Sequence, residues 1–268
     1  MEATIMMYAQ TLRRPALRFA LAAAGLLTAV SLHGAGHTAL IHGPRTVAAT
    51  ADVSTNWAGY VDETNGVDSV SGTWVVPTVT PSAGTSASSV WVGIGGSNSD
   101  DLIQAGTEQD IENGRAVYYA WYEMLPAESK QVRMDVEPGD QITVAITETA
   151  RSQWVINMSD DTTGEALQMH FTYRSSNASA EWIVEAPTAI NSRTGAEHQV
   201  TLANFGAVHF SNMAATTSGQ AIDPTESYPV VMASHRAKLV DVSPVQDGGF
   251  DALYLGSNPG NATSIGNQ

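Results

Sequence analysis

From residue 51 onward, apolar and polar positions alternate in short runs broken by turn residues, the pattern of strands rather than helices. Val70–Val79 is one such run, closed by Pro81 and Gly84. Ser89–Ile94 ends at Gly95-Gly96, and Val117–Glu123 is dense in aromatics. In Glu137-Pro138-Gly139-Asp140 the proline fixes φ and the glycine supplies positive φ, so a turn is expected. Beyond it Ile142, Val144 and Ile146 alternate with Thr143, Ala145 and Thr147, which predicts a half-buried strand. Asp160–Gly164 predicts the next turn and Leu167–Tyr173 the next strand; Glu181–Glu185 and Val208–Phe210 continue the series. About a dozen short strands without helices predict an all-β fold, a jelly-roll-like sandwich of two packed antiparallel sheets. No repeat or long linker divides residues 51–255, so one domain is expected there. Residues 256–268, rich in Gly, Asn and Ser, read as a loose tail.

The first 50 residues follow another pattern. Arg13, Arg14 and Arg18 precede an uncharged apolar run, Phe19–Leu32, which gives way to small residues at Gly34–Gly36. That order predicts a secretory signal peptide over residues 1–35. The run has 14 residues, short of the roughly 20 that a membrane-spanning helix needs. Residues 36–50 read as a short propeptide or spacer. The expectation is a secreted protein with no stable membrane association once the leader is removed.

Charge narrows the partners. Residues 1–50 hold one acid and four arginines, so the −15 of the whole chain becomes −18 for the rest. Such a surface repels nucleic acid and anionic membranes, and its self-repulsion falls in an acidic medium. There is no cysteine, which excludes disulfides, zinc thiolate sites and a cysteine nucleophile. The chain has no His-Glu-x-x-His helix, no Gly-x-Ser-x-Gly elbow and no Asp-Thr-Gly or Asp-Ser-Gly. Asp161-Thr162-Thr163-Gly164 is a near miss that reads as a hairpin turn. His33, His37 and His42 lie in or near the leader and the other histidines are scattered, so neither a metal nor a cofactor is expected.

The clearest candidate chemistry is Glu181-Trp182-Ile183-Val184-Glu185. In a strand, Glu181, Ile183 and Glu185 share one face, and Trp182 and Val184 the other. With Trp182 and Val184 facing the core, both glutamates face the more open side of the sheet. Four residues of strand hold them about 13 Å apart, beyond the roughly 6.5–9.5 Å of an inverting glycosidase pair. On this pattern alone the pair reads equally well as two surface carboxylates.

Several runs together resemble the glutamic peptidases, or eqolisins. They are Asn56-Trp57-Ala58-Gly59-Tyr60-Val61, Gly72-Thr73-Trp74-Val75-Val76-Pro77, Val90-Trp91-Val92-Gly93-Ile94-Gly95-Gly96 and Leu102-Ile103-Gln104-Ala105-Gly106-Thr107-Glu108. Ala120-Trp121-Tyr122-Glu123, Ala180-Glu181-Trp182-Ile183-Val184-Glu185 and Asn204-Phe205-Gly206-Ala207-Val208-His209-Phe210 follow in the family's order. The resemblance implies two curved antiparallel sheets with a substrate groove on the concave side. It implies a catalytic pair, Gln104 and Glu185, with Trp57, Trp121 and Glu123 as groove residues; the family's spacing favours Glu185 over Glu181. Three departures stand out: Gly95 and Tyr119 where fungal members carry aspartates, and Glu108 in place of an aspartate. The implied function is acid-acting endoproteolysis by a monomer, on protein or peptide substrates. A glutamate base would activate water, and a glutamine would orient it and stabilise the oxyanion. Two rivals remain at this point: a carbohydrate-active enzyme or lectin on the same fold, and a catalytically inactive family member.

Overall fold

The computed structural model describes residues 4–6, 38–48, 50, 52–82, 84–191, 193–234 and 237–256. The expected leader and tail thus lie outside the described residues, apart from Thr4–Met6 and Gly256. Among the described residues the regular elements are all strands, apart from a 3₁₀ turn at Pro224–Glu226.

Two antiparallel sheets carry the architecture. The front sheet contains β1 (Trp57–Asp62), β2 (Ser86–Gly95), β3 (Leu102–Glu112), β4 (Arg115–Met124) and β5 (Ala180–Glu185). Its spatial order runs Tyr228–Ala233, β1, β5, β2, β3, β4, Lys130–Gln131. The back sheet runs from Glu165–Thr172 through Gln153–Asp160, Gln141–Ala150, Val67–Val75, Ala207–Thr217 and Phe250–Tyr254 to Lys238–Val242. Thr4–Met6 pairs along Glu165–Thr172 at its edge. A third, small sheet joins β6 (Thr188–Asn191) to Glu197–Gln199 and to Thr38–Ile41.

Local chemistry explains the elements. Ile142, Val144 and Ile146 are fully buried along Gln141–Ala150, as their period-two spacing predicts. Gly139 turns with φ 95°, and Asp140 closes that turn by accepting from the Glu137 amide at 2.7 Å. Asp160 accepts from the Thr162 and Thr163 amides in the next hairpin, and Gly164 has φ 82°. The front strands do not alternate in exposure: β2 is buried at every position. A strand reads this way when both of its faces are covered.

The inner face of the front sheet packs on the back sheet. Val90, Val92, Ile103, Ala105, Trp182 and Val184 meet Val70, Trp74, Val144, Ile156 and Phe210 in one apolar core. Two indoles tie the layers together: Trp74 Nε1 donates to Thr107 Oγ1 at 3.0 Å, and Trp182 Nε1 to the Ser71 carbonyl at 2.7 Å. Fully burying one large apolar side chain stabilises by about 1.5–3 kcal/mol, so this layer holds the fold. A second cluster, with Trp57, Trp91, Trp121 and Ile183, lies on the outer face of the front sheet.

Candidate active site

The strand pairings set the outer face. Glu181 stands opposite Gly93, Gly93 opposite Gln104, and Gln104 opposite Glu123. Four residues along β5, Glu185 stands opposite Ser89, and Ser89 opposite Glu108. Between these rows lie Ile183, Trp91, Gly106 and Trp121. Since alternate residues of a strand share a face, all these side chains point away from the back sheet. Glycine is required at 106: a Cβ there would lie 2.1 Å from the Val90 carbonyl oxygen and 2.5 Å from Trp91 Cβ.

This face is not open. Residues 38–48 return across it as a strap, and Gln104, Glu108, Glu123, Glu181 and Glu185 are all 0% exposed. Gln104 Nε2 donates to the His42 carbonyl at 2.6 Å and to Glu123 Oε2 at 2.9 Å. Both neighbours are acceptors, so the amide orientation follows from the contacts. Gln104 Oε1 is buried and has no hydrogen-bond partner. Glu123 Oε2 also accepts from the His42 amide at 3.0 Å. Glu185 accepts from Trp91 Nε1 at 2.9 Å and from Asn56 Nδ2 at 3.4 Å. Glu108 Oε2 accepts from Ser89 Oγ at 2.6 Å and lies 2.8 Å from His42 Nε2. The His42 ring lies flat on Trp121, centroids 3.6 Å apart and planes 7° apart.

The electrostatics divide this face in two. Burial pushes the Glu185 carboxyl well above the usual range; Glu123 and Glu108 add to this, while His42 and Trp91 oppose it. Burial also raises Glu123, against hydrogen bonds from His42 and Gln104. Burial alone would lower His42, but Glu108 and Glu123 hold its pKa well above the histidine value. Asp110, on the same face of β3, is pushed up to about 10 by burial and by Glu108. Glu181 belongs elsewhere. Burial raises it, and Asp101, Glu63 and Asp62 raise it further against the nearby Ser179 hydroxyl, which lowers it but is not placed to make a regular hydrogen bond.

All five residues expected from the sequence lie on this face. Gln104, Glu123 and Trp121 meet at His42, Glu185 lies four residues along β5 from the row of Gln104 and accepts from Trp91 Nε1, and Trp57 Nε1 donates to the Gly43 carbonyl at 3.1 Å. The two glutamates of β5 face away from the core as expected, yet they are sealed rather than exposed. From the sequence Glu108 stands out only as a departure from the family's aspartate and Trp91 as core or groove wall, while His42 and Asn56 carry no site role. Glu108 was within reach of the period-two rule, standing four residues after Gln104 on one strand. His42 was not, because nothing near it in the chain announces a partner. Among the described residues no group of three or more His, Asp or Glu side chains is arranged to hold a metal ion. No helix among them is long and apolar enough to cross a membrane.

Residues 55–253 match the sequence model of the Peptidase A4 family. The chain is 30% identical over 219 residues to Aspergillopepsin-2 of Aspergillus niger, covering 72% of this chain and 75% of that protein. Its fold resembles that of scytalido-glutamic peptidase with a transition state analog inhibitor, with a TM-score of 0.69, 25% identity, and coverage of 75% of this chain and 98% of that one. It also resembles SCP-B, a member of the Eqolisin family in a complex with a tripeptide Ala-Ile-His, with a TM-score of 0.64, 24% identity and the same coverage of 75% and 98%.

Proposed function

The chain belongs to the Peptidase A4 family of glutamic peptidases, enzymes that hydrolyse peptide bonds, and from that premise we propose that it is a secreted, acid-acting endopeptidase with Glu185 as general base and Gln104 as oxyanion donor. The observation that carries this reading is the 2.6 Å contact from Gln104 Nε2 to a peptide carbonyl, that of His42, on the face that holds Glu185. A donor this close to a peptide carbonyl is within reach of the oxyanion that would develop from it. The free Gln104 Oε1 is an acceptor for the attacking water.

In this mechanism Glu185 takes a proton from water as the water oxygen bonds to the carbonyl carbon. Gln104 Nε2 holds the resulting oxyanion, and Glu185 returns the proton to the leaving amine. Trp91 and Asn56 orient the carboxylate from two sides. Glu185 rather than Glu181 fits the base, because its charge couples to His42, Glu123 and Glu108, whereas that of Glu181 couples to Asp62, Glu63 and Asp101. A neutral amide partner also avoids the repulsion that raises one pKa in a pair of carboxylates.

Residues 38–48 act as a short propeptide in this reading. While the strap is in place no other peptide can reach Gln104. Its release removes burial, the main cause of the raised Glu185 pKa. Peptide substrates accord with the Ala-Ile-His bound to SCP-B, whose last two residues are also those of Ile41-His42 here.

The test is hydrolysis of a denatured protein from about pH 2 to pH 7, a range bracketing the carboxyl pKa. Wild type, Glu185→Gln, Gln104→Ala and Glu181→Gln are compared after each is shown to be folded. Turnover surviving Glu185→Gln and lost in Glu181→Gln would move the base to Glu181.

A further inference from the structure

The strap is bound as an extended peptide, and its contacts give a finer reading of the same site, one that rests on the peptidase assignment above. Thr38–Ile41 runs antiparallel to β6, with Ile41 opposite Thr188. Ser129 Oγ donates to the Leu40 carbonyl at 3.0 Å. At His42 the backbone leaves the strand and passes between Glu123 and Gln104, which bind its amide and its carbonyl. Past that point Trp57 Nε1 holds the Gly43 carbonyl, Asn56 Nδ2 the Pro44 carbonyl at 3.1 Å, and the Arg45 amide donates to Gly96 at 3.0 Å. Main-chain contacts of this kind are how extended peptides are held in register. Of the bonds in this stretch, His42–Gly43 is the one whose carbonyl lies on Gln104.

The side chain at that position is sealed in a slot of its own. His42 is 0% exposed, flat on Trp121, with Nε2 2.8 Å from Glu108 and Nδ1 3.4 Å from Glu123. Both carboxylates are 0% exposed as well. A buried carboxylate is costly unless a donor or cation meets it. The flat ring covers the indole face, one ring nitrogen meets Glu108 at 2.8 Å, and the other faces Glu123 at 3.4 Å. Phenylalanine or leucine would cover Trp121 and leave Glu108 and Glu123 without that partner. Lysine would bring charge without a flat face.

We infer that the slot formed by Trp121, Glu108 and Glu123 is the specificity subsite for the residue that supplies the scissile carbonyl, that it selects histidine, and that His42–Gly43 is the bond of this chain presented to the dyad. In the self-cleavage step the water oxygen bonds to the His42 carbonyl carbon and the bond to the Gly43 nitrogen breaks. One water proton passes through Glu185 to that nitrogen. The other proton stays with the attacking oxygen, so the products are a carboxylic acid at His42 and an amine at Gly43, with no other reactant needed.

The full-length chain is acidified together with a denatured bystander protein. Intact mass, N-terminal sequencing and mapped fragment ends are read over time, with the Glu185→Gln chain in parallel. The expected result is a new N-terminus at Gly43 in wild type alone, and bystander cuts enriched about tenfold after histidine. A tenfold preference corresponds to about 1.4 kcal/mol. Glu108→Gln should lower the ratio of kcat/KM on a His-containing peptide to that on its Phe counterpart by about tenfold. If that variant fails to fold, the wild-type cleavage map still decides. A bystander cut without histidine preference overturns the subsite. A His42–Gly43 bond left intact by an enzyme that cuts the bystander overturns the self-cleavage. If neither protein is cut, the peptidase reading fails and this inference falls with it.

Discussion

Toward the back sheet, the front sheet presents Trp182, Val184, Val92, Ile103 and Ala105; on the opposite face the same strands present Glu181, Glu185, Gln104, Glu108 and Glu123. Both sets are 0% exposed, so burial does not tell them apart. What differs is the origin of their dryness. The inner face is dry because two apolar layers meet, and each buried group adds stability. The outer face is roofed by residues 38–48, and the carboxyls beneath it shift their pKa values upward rather than ionise freely. One face holds the fold together, while the other keeps charge-bearing groups short of water, an arrangement associated with functional sites.

Substitutions on the two faces should therefore fail in different ways. Glu185→Gln removes the proposed base and should lower kcat by about 10²–10⁴-fold with the thermal midpoint nearly unchanged; loss of folding in step with activity would erase the contrast. Trp182→Ala, on the inner face of the same strand, should cost about 3–5 kcal/mol in urea unfolding, and each folded molecule should retain its activity. Gln104→Ala should lower kcat by roughly 10²–10³-fold, the size of a lost oxyanion donor, as measured on a synthetic peptide.

The pH dependence of stability sharpens the contrast. Glu181, Glu185 and Glu123 are raised and Asp110 is pushed up to about 10, so each binds its proton more tightly folded than unfolded. Their contribution is complete below about pH 4, the unfolded carboxyl range, and is lost as pH rises through the raised values. His42, also raised, contributes below about pH 6.5 and loses its contribution in the same direction. The chain should melt at a higher temperature at pH 4 than at pH 8. The Glu185→Gln protein, expected to resist self-cleavage, is the form to measure, and a midpoint rising with pH would contradict the sign. The smallest expected effect is Glu181→Gln. Replacing this unpartnered carboxyl should raise the midpoint by a degree or two at pH 8 and leave it unchanged at pH 4, worth less than about 1 kcal/mol, with turnover intact.

Much of the site could be read from the chain. The faces of Glu181, Trp182, Ile183, Val184 and Glu185 follow from a period of two, and the turns at Gly139 and Gly164 from residues that accept positive φ. The run containing Gln104 and the run ending at Glu185 resembled one family, and the matched model, residues 55–253, spans both. Whether those glutamates were open or sealed was not legible. The strand pattern says which way a side chain points, but not what covers it.

The sequence by itself determined the all-β class, the positions of the main strands and turns, and which side chains of each strand share a face. These follow from steric and periodic rules acting within a few residues. Only the tertiary structure decided that Gln104, Glu123 and Trp121 come from neighbouring strands onto one residue of a returning strap. The His42 amide and Glu123 are 81 positions apart in the chain. A contact at that separation leaves no local pattern, because it forms only once the sheets have closed and the burial of an imidazole ring between two carboxyl groups has been compensated.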